Sequence, residues 1–575
     1  AALPGPGTPS LEPAMSSTER STVEVAKEQS RYLRGTLAAA LDHPLQPFGK
    51  DDGHILKFHG VYQQDDRDLR AERRHRRLDP DWIFMVRASI PGGVLTPEQY
   101  LVMDRLADEV GDGTLRITTR QGIQWHHTRK GGLRPLLRTL SDHLVTTLGA
   151  CGDVVRNVMS CPAPLPGREQ VLAHAATLAR HFRPRTQAYY EVWINGERAV
   201  SAEVSSEEEP VYGSAYLPRK FKIAFAYPGD NCVDVYSDDL GIVPVIEDEV
   251  VTGFTLLVGG GMGRSHNKPD TFPRLADPLC RVSPDELVEV AEAIVGIQRD
   301  YGERADRRHA RLKYLIEYWG LADFRRAVER RLGRSLPQPT PLTWRNADDH
   351  LGWHPQPDGR WFLGLAVENG RIADRDGVRL RSGLRAVVEE LRPGIRLTPE
   401  QSIILTDLSA DARPTVKAVL DTHAIPLPHQ VPVVIRQSMA CVALPTCGLA
   451  VTDAERALPR VIRRLDSELT ELGLDGQAIR VRMTGCPNGC ARPYNAEIGL
   501  VGRRMGAYDV YLGGSHLGDR LNTLLAENVP EGQLVDLLRP ALVAWRDHRL
   551  PDEAFGDFRH RVGPEPLRMP EATPA

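Results

Sequence analysis

The sequence predicts an α+β fold of two related halves about a pseudo-two-fold axis, with mixed sheets flanked by helices. Three observations predict it. First, "LRITTRQGI" (115–123) resembles "IRLTPEQSI" (395–403), and "VVRNVMSC" (154–161) resembles "VIRQSMAC" (434–441). Both pairs are separated by 280 residues (395 − 115 and 434 − 154), and a shared register of that kind marks a duplication. Second, "GFTLLVGGGMG" (253–263) echoes "AYDVYLGGSHLG" (507–518). Each reads as a strand entering a glycine turn where backbone approaches something closely. Third, helical patterns fall between these strands.

Two helices are well marked. "SPDELVEVAEAIVGIQRDYG" (283–302) opens on Ser283, with Pro284 at the first helical position and Glu286 completing a capping box. "ERALPRVIRRLDSELTELG" places Leu458, Val461, Ile462, Leu465, Leu469 and Leu472 at helical spacing, with Gly473 suited to the C-cap.

A chain of 575 residues exceeds one hydrophobic core and predicts several domains. At 41% hydrophobic and 26% charged it reads as a soluble globular protein, and no apolar run is long enough for a membrane span. The formal charge of −4 gives no general reason to bind nucleic acid or anionic lipid, so any anion site must come from local clustering of Arg and Lys. The Pro-, Ala- and Gly-rich start, "AALPGPGTPSLEPAMSST", is not a secretory signal and reads as a disordered lead within residues 1–30, with Met15 a candidate start. A reducing, cytoplasmic setting is expected.

Eight cysteines do not make a disulfide scaffold in a chain of this size. Four of them form two tight pairs in Gly/Pro turns: Cys441 and Cys447 in "SMACVALPTCGLA", Cys486 and Cys490 in "TGCPNGCARP". Four thiolates suit zinc or an iron–sulfur cluster. Zinc knuckles favour closer, more even spacing, and the apolar flanks here fit a dry cluster better. Four ordinary buried thiols are the third reading. In the first half Cys161 aligns with Cys441, but Gly167 stands where the repeat would place Cys447, so one half alone carries the pairs. Cys151, Cys161, Cys232 and Cys280 read as core or near-site thiols without a ligand role.

The first half is also rich in cations beside apolar, strand-like stretches: Arg87, Arg116, Arg120, Arg156, Arg219, Lys220 and Lys222. Lys220 and Lys222 are two apart, so on a strand both point to one face. Such a pair either holds an anion or protects an exposed edge strand. The mixed-charge run "DDRDLRAERRHRRLD" (65–79) reads as a solvated helix face or a contact arm.

"SMACVALPTC" followed by "TGCPNGC" resembles the cluster-and-sirohaem signature of the assimilatory sulfite and nitrite reductases. The likeness extends through "YLRGTL", "KFHGVYQQDDRDLRAE", "YLPRKFK", "LLVGGGM" and "AEIGLVG", and is closest to the sulfite reductase haemoprotein. It implies a disordered lead (1–30), a first ferredoxin-like half-domain (31–150), a first sirohaem-binding domain (151–335), a second ferredoxin-like half-domain (336–428) and a second domain with the cluster ligands (429–575). It implies a 4Fe–4S cluster on Cys441, Cys447, Cys486 and Cys490, with Cys490 bridging to the iron of a sirohaem. Some of Arg116, Arg120, Arg219 and Lys313 are then expected to pair with macrocycle carboxylates. Gln121, Gly259, Gly260, Gly261, Gln401 and Asn488 complete the implied cofactor-binding set. Arg87, Arg156, Lys220 and Lys222 are expected on the distal side, where sulfite would bind, with lysine pKa values lowered by mutual repulsion.

Some relatives carry a Cys–Tyr crosslink near the haem. Tyr62 is present, but Val154 occupies the expected cysteine position, so no crosslink is expected. Relatives that reduce nitrite tend to show Lys-x-Asn where this chain has "KFK", which favours sulfite over nitrite. A non-catalytic iron–sulfur scaffold is the remote alternative, and it leaves the cations unexplained. No dinucleotide fingerprint occurs, so electrons must come from a separate donor, an NADPH-dependent flavoprotein more readily than a ferredoxin.

Overall fold

The computed structural model describes residues 20–43, 47–184, 191–194, 197–201 and 209–563. The duplication is visible in four five-stranded sheets. Two are antiparallel. One runs, in spatial order, Val61–Asp65, Trp82–Arg87, Ile123–Thr128, Leu115–Ile117, Arg371–Ile372. Its counterpart runs Gly352–Pro355, Trp361–Leu365, Ile403–Leu408, Gly394–Leu397, Val94–Leu95. Each sheet ends in a strand donated by the other half, since Arg371–Ile372 pairs with Leu115–Arg116 and Val94–Leu95 pairs with Ile395–Arg396. The halves are therefore laced together by backbone hydrogen bonds.

The other two sheets are mixed and share one topology. Met159–Ser160, Ile223–Phe225 and Leu240–Glu247 run parallel, then Val250–Val258 and Asp277–Val282 add antiparallel. Ser438–Ala440, Val481–Thr484 and Ile498–Arg504 repeat the parallel trio, with Ala507–Leu512 and Thr523–Pro530 added antiparallel.

The repeat extends to side chains. Gln121 and Gln401, 280 positions apart, both hold a left-handed backbone, with φ of 55° and 64°. Gln121 Nε2 donates to the Leu397 carbonyl at 2.7 Å, and Gln401 Nε2 donates to the Ile117 carbonyl at 3.3 Å. Residues 397 and 117 are again 280 apart, so the two bonds are images of each other across the axis. Both amides are buried and donate to backbone carbonyls, while the Gln401 Oε1 keeps no partner among the described residues.

Three expectations change. The described part of the lead is ordered: Thr22–Gln29 is a helix whose Lys27 is fully buried, 2.5 Å from Glu24 and 3.6 Å from Asp153. A buried ammonium needs such partners, and they anchor the segment; residues 1–19 lie outside the described residues. Glu286 does accept from Ser283 Oγ at 2.9 Å, but the helix starts only at Leu287, because residues 284–286 form a turn first. Strand geometry begins at Ile223, after "KFK"; Phe221 alone makes a bridge, to Val155, and the two lysines flank it. The helix Leu458–Glu471 is as expected, with its leucine stripe buried and Gly473 left-handed at φ 66°. No described helix is long and apolar enough to cross a membrane.

Candidate iron–sulfur and anion site

The four paired cysteines sit on two loops of the second mixed sheet. Cys441 follows the strand Ser438–Ala440, and Cys486 and Cys490 follow Val481–Thr484. Adjacent parallel strands thus deliver both loops to one edge. Cys441 Sγ accepts from the Gly485 amide at 3.4 Å, and Asn488 Nδ2 donates to Cys486 Sγ at 3.3 Å, so Asn488 steadies a thiol as a neighbour. Arg67, from the mixed-charge run, donates to the Cys447 carbonyl at 3.2 Å, which makes that run a contact arm.

Burial raises the thiols of Cys441, Cys447 and Cys486, the last to about 12, and Cys490 adds repulsion to each. Four thiols that disfavour one another's charge suit a polycation that would hold them as thiolates. The buried hydroxyls of Thr446 and Thr484, each within two residues of a paired cysteine, have no partner among the described residues and suit inorganic sulfide as acceptor. The donor set therefore fits a 4Fe–4S cluster.

The cations divide by what neutralises them. Arg116 Nε lies 2.8 Å from Glu455, and its Nη2 donates to the Ala440 carbonyl at 2.9 Å. It ties the first cysteine loop to Glu455. Arg120 pairs with Asp238 at 2.6 Å while its buried Nε keeps no partner among the described residues. Arg311, missed in the sequence, forms a two-point pair with Asp239 at 2.9 and 2.8 Å. Arg219 lies 3.8 Å from Asp153 and remains half-exposed.

Lys313 reaches the glycine turn. Its ammonium donates to the carbonyls of Gly261 at 3.1 Å, Gly263 at 2.7 Å and Phe272. Burial and then Arg311 push it down to about 6, and its three carbonyl bonds brace the glycine turn. That turn itself packs on protein. Gly260 donates to the Asp238 carbonyl at 2.9 Å, and Gly259 to Asp239 at 3.0 Å. Gly259 and Gly260 therefore set Asp238 and Asp239, which in turn hold Arg120 and Arg311, while Gly261 donates to the Arg274 carbonyl at 2.8 Å. A Cβ on Gly260 would lie 2.2 Å from the Tyr236 carbonyl. Gly260→Ala is expected to cost about 1–3 kcal/mol, read as a lower thermal midpoint, and to loosen both carboxylates.

The side chains of Arg87, Arg156, Lys220 and Lys222 form no ion pair with a carboxylate among the described residues, although Asp238 favours the charged form of Lys222 and the Lys222 amide donates to Asp239. Arg87 Nη1 donates to Cys151 Sγ at 3.0 Å, and Nη2 lies 2.6 Å from the Gln124 amide oxygen in the orientation that satisfies both groups. Arg156 Nε donates to the Gly152 carbonyl at 2.9 Å. Burial, then Arg219 and Lys222, lowers the Lys220 amine well below its ordinary value. Burial and then Arg120 lower Lys222 to about 8. Arg87 and Lys222 both feel Cys490, the one exposed cysteine of the eight. Cys151 also contacts the Tyr62 hydroxyl, and burial with that neighbour raises the phenol to about 12. A cysteine thus stands beside Tyr62, although Val154 occupies the position expected for a crosslink.

Two arrangements were not legible in the sequence. Asp234 and Arg492 begin equivalent single-turn helices, Val235–Ser237 and Pro493–Asn495, with left-handed φ of 52° and 53°. They pair at 2.6 Å across the axis. Arg480 and Arg482 join Asp234 and Glu400 to complete a buried knot. Cys161 and Cys232, read as unconnected core thiols, lie together with Asp230 and His350.

Four thiols on one edge, beside a patch of uncompensated cations, define a redox protein that acts on an anion. The chain belongs to the nitrite and sulphite reductase family. The model of that family's ferredoxin-like half domain matches residues 75–143 and 354–423, and the model of its 4Fe-4S domain matches 173–336. The latter falls on the first copy, which lacks the paired cysteines. The chain is 45% identical to the sulfite reductase (NADPH) hemoprotein beta-component of Myxococcus xanthus, covering 96% of this chain and 98% of that one. It is 44% identical to the protein so named from Geobacillus kaustophilus, with 94% and 96% covered, and 46% identical to that from Acidithiobacillus ferrooxidans, with 94% and 96% covered. The solved structure of the Mycobacterium tuberculosis NirA protein matches with a TM-score of 0.78 at 24% identity, covering 96% of this chain and 98% of that one, and supports the fold.

Proposed function

We propose that this chain reduces sulfite to sulfide, with sirohaem and a 4Fe–4S cluster as cofactors. The observation that carries the reading is the set Arg87, Arg156, Lys220 and Lys222, whose side chains form no ion pair with a carboxylate among the described residues. Cys441, Cys447, Cys486 and Cys490 would hold the cluster in this reading, with Cys490 the residue that would also hold the sirohaem. When bound, these groups would supply the electrons for the reduction.

The rest is work for the protein. Sulfur passes from +4 in sulfite to −2 in sulfide, so six electrons arrive, and protons must accompany each S–O cleavage because oxide is too poor a leaving group. The four cations bind the dianion and stabilise the charge that accumulates on it. Lys222, titrating at about 8, is charged near neutral pH and gives up a proton more readily than an ordinary lysine. The names of the relatives support sulfite over nitrite, and their "NADPH" and "beta-component" support a separate NADPH-dependent flavoprotein as donor over a ferredoxin.

Lys222→Asn tests this reading. Sulfite is largely dianionic near neutral pH and nitrite carries a single charge, so removal of one cation should harm sulfite more. Loss of a charge-assisted hydrogen bond in a dry site costs about 2–4 kcal/mol, on the order of 30- to 1,000-fold in rate. Steady-state reduction of each anion with reduced viologen should show that loss for sulfite, a much smaller one for nitrite, and unchanged cofactor absorbance. Wild-type turnover should also fall as pH rises through about 8, where the Lys222 proton is lost, and this limb should vanish in the variant. Equal loss for both anions would make Lys222 a general proton donor. No loss for either would return "KFK" to an ordinary surface segment.

A further inference from the structure

We propose that Cys161, Cys232, His350 and Asp230 form a closed tetrahedral site for a zinc ion, separate from the iron–sulfur site. One ligand atom from each residue lies within 4.8 Å of all the others. His350 Nε2 is 2.9 Å from Asp230 Oδ2 and 3.7 Å from Cys161 Sγ. Zinc bonds of about 2.0–2.3 Å place tetrahedral ligands roughly 3.3–3.8 Å apart, so little adjustment is required.

The arrangement is that of ligands and not of a proton relay. In a Cys–His–Asp relay the thiol and the carboxylate sit on opposite ring nitrogens. Here both face Nε2. The other nitrogen, Nδ1, lies on the Asp348 side at 4.0 Å from its Oδ2, beyond hydrogen-bond distance. Asp230 is aimed as well: its Oδ1 accepts from the amides of Cys232 at 3.1 Å and Asp348 at 3.2 Å, which leaves Oδ2 for the centre.

Burial points the same way. Cys161 and Cys232 are 1% exposed, Asp230 and His350 6%. The two thiols pack with Met159, Ala224, Ala226 and Phe362 in one apolar cluster. Four polar ligands in such a shell are costly unless something joins them. Two thiolates and a carboxylate exceed the charge of a divalent ion by one. Arg168, within electrostatic reach of both thiols, supplies the compensating cation. Its buried Nη2 has no partner among the described residues.

Two sulfurs with one nitrogen and one oxygen favour zinc over calcium or magnesium, and four protein ligands leave no open position, as in structural sites. Binding expels the two thiol protons to solvent. The ion would tie the first mixed sheet to the segment that enters the second antiparallel sheet, where Asn231 already donates to the Asn346 carbonyl at 3.0 Å.

The test is metal content of the full chain carrying its cofactors, purified from cells grown with zinc. Wild type should hold about one zinc per chain besides its iron, and zinc-edge X-ray absorption should show about two sulfurs near 2.3 Å with two lighter ligands near 2.0 Å. Cys232→Ala should lower zinc at least about tenfold while the visible absorbance of the cofactors stays, because the sites are separate. Iron-replete wild type with under about a tenth of a zinc per chain would overturn the proposal, as would zinc without sulfur ligands or full zinc in Cys232→Ala. Should the variant fold poorly, the wild-type stoichiometry and absorption edge decide alone.

Discussion

Cys490→Ser should abolish sulfite turnover and remove both visible chromophores. Cys441, Cys447 and Cys486 each feel Cys490, so it is the common neighbour of the other three thiols. It is also the cysteine that opens toward Arg87 and Lys222. A serine hydroxyl does not ionise near neutral pH and cannot replace a thiolate ligand. The wild type should contain about four cluster irons and one haem iron, and the variant a small fraction of these. Cys280→Ala, in the buried strand Asp277–Val282, is the control and should keep both chromophores. Iron and sulfide analysis with the absorption spectrum distinguishes the outcomes. Loss of the haem bands alone would make Cys490 an axial ligand only. Loss of the cluster alone would remove the bridge, and retention of both would sink the assignment.

Asp234→Ala should destabilise the protein by about 3–5 kcal/mol, the usual cost of stranding buried charges. Asp234 is fully buried and contacts Arg480 at 3.3 Å, Arg482 at 2.7 Å and Arg492 at 2.6 Å. Burial raises its carboxyl, but Arg482, Arg480 and Arg492 together outweigh that and hold it well below the usual range. Its contribution is therefore present above the ordinary carboxyl pKa and is lost as pH falls through the lowered one. Removal leaves three arginines on Glu400 alone. Arg492→Leu leaves two arginines on two carboxylates and should cost less. Thermal midpoints for the two variants give the order, and Asp234→Ala no less stable than Arg492→Leu would refute the charge account.

Much of this molecule can be read without coordinates because its signals are local or repeat in register. The offset of 280 located the duplicated hairpins, and the paired cysteines located the second mixed sheet's loops. The helix Leu458–Glu471 followed from its leucine stripe and from Gly473. Ser283 and Glu286 misplaced a helix start, because the same side-chain bond closes a turn as well as a cap.

The roles of the cations were less legible. Arg116, Arg120 and Lys313 look like Arg87 and Lys222 in the sequence: each is a basic residue beside apolar neighbours. What separates them is an acid or carbonyl from far along the chain, Glu455 for Arg116, Asp238 for Arg120 and the glycine turn for Lys313.

The sequence by itself determined the fold class, the duplication, the four paired cysteines and the pool of cations, since periodicity, spacing and residue type are properties of short segments. Only the tertiary structure decided which cations stay uncompensated, that Asp234 meets Arg492 across the axis, and that Cys161, Cys232, Asp230 and His350 share one point. The physical reason is that charge compensation and metal ligation act over a few ångströms of space, and the partners here lie as many as 339 residues apart along the chain.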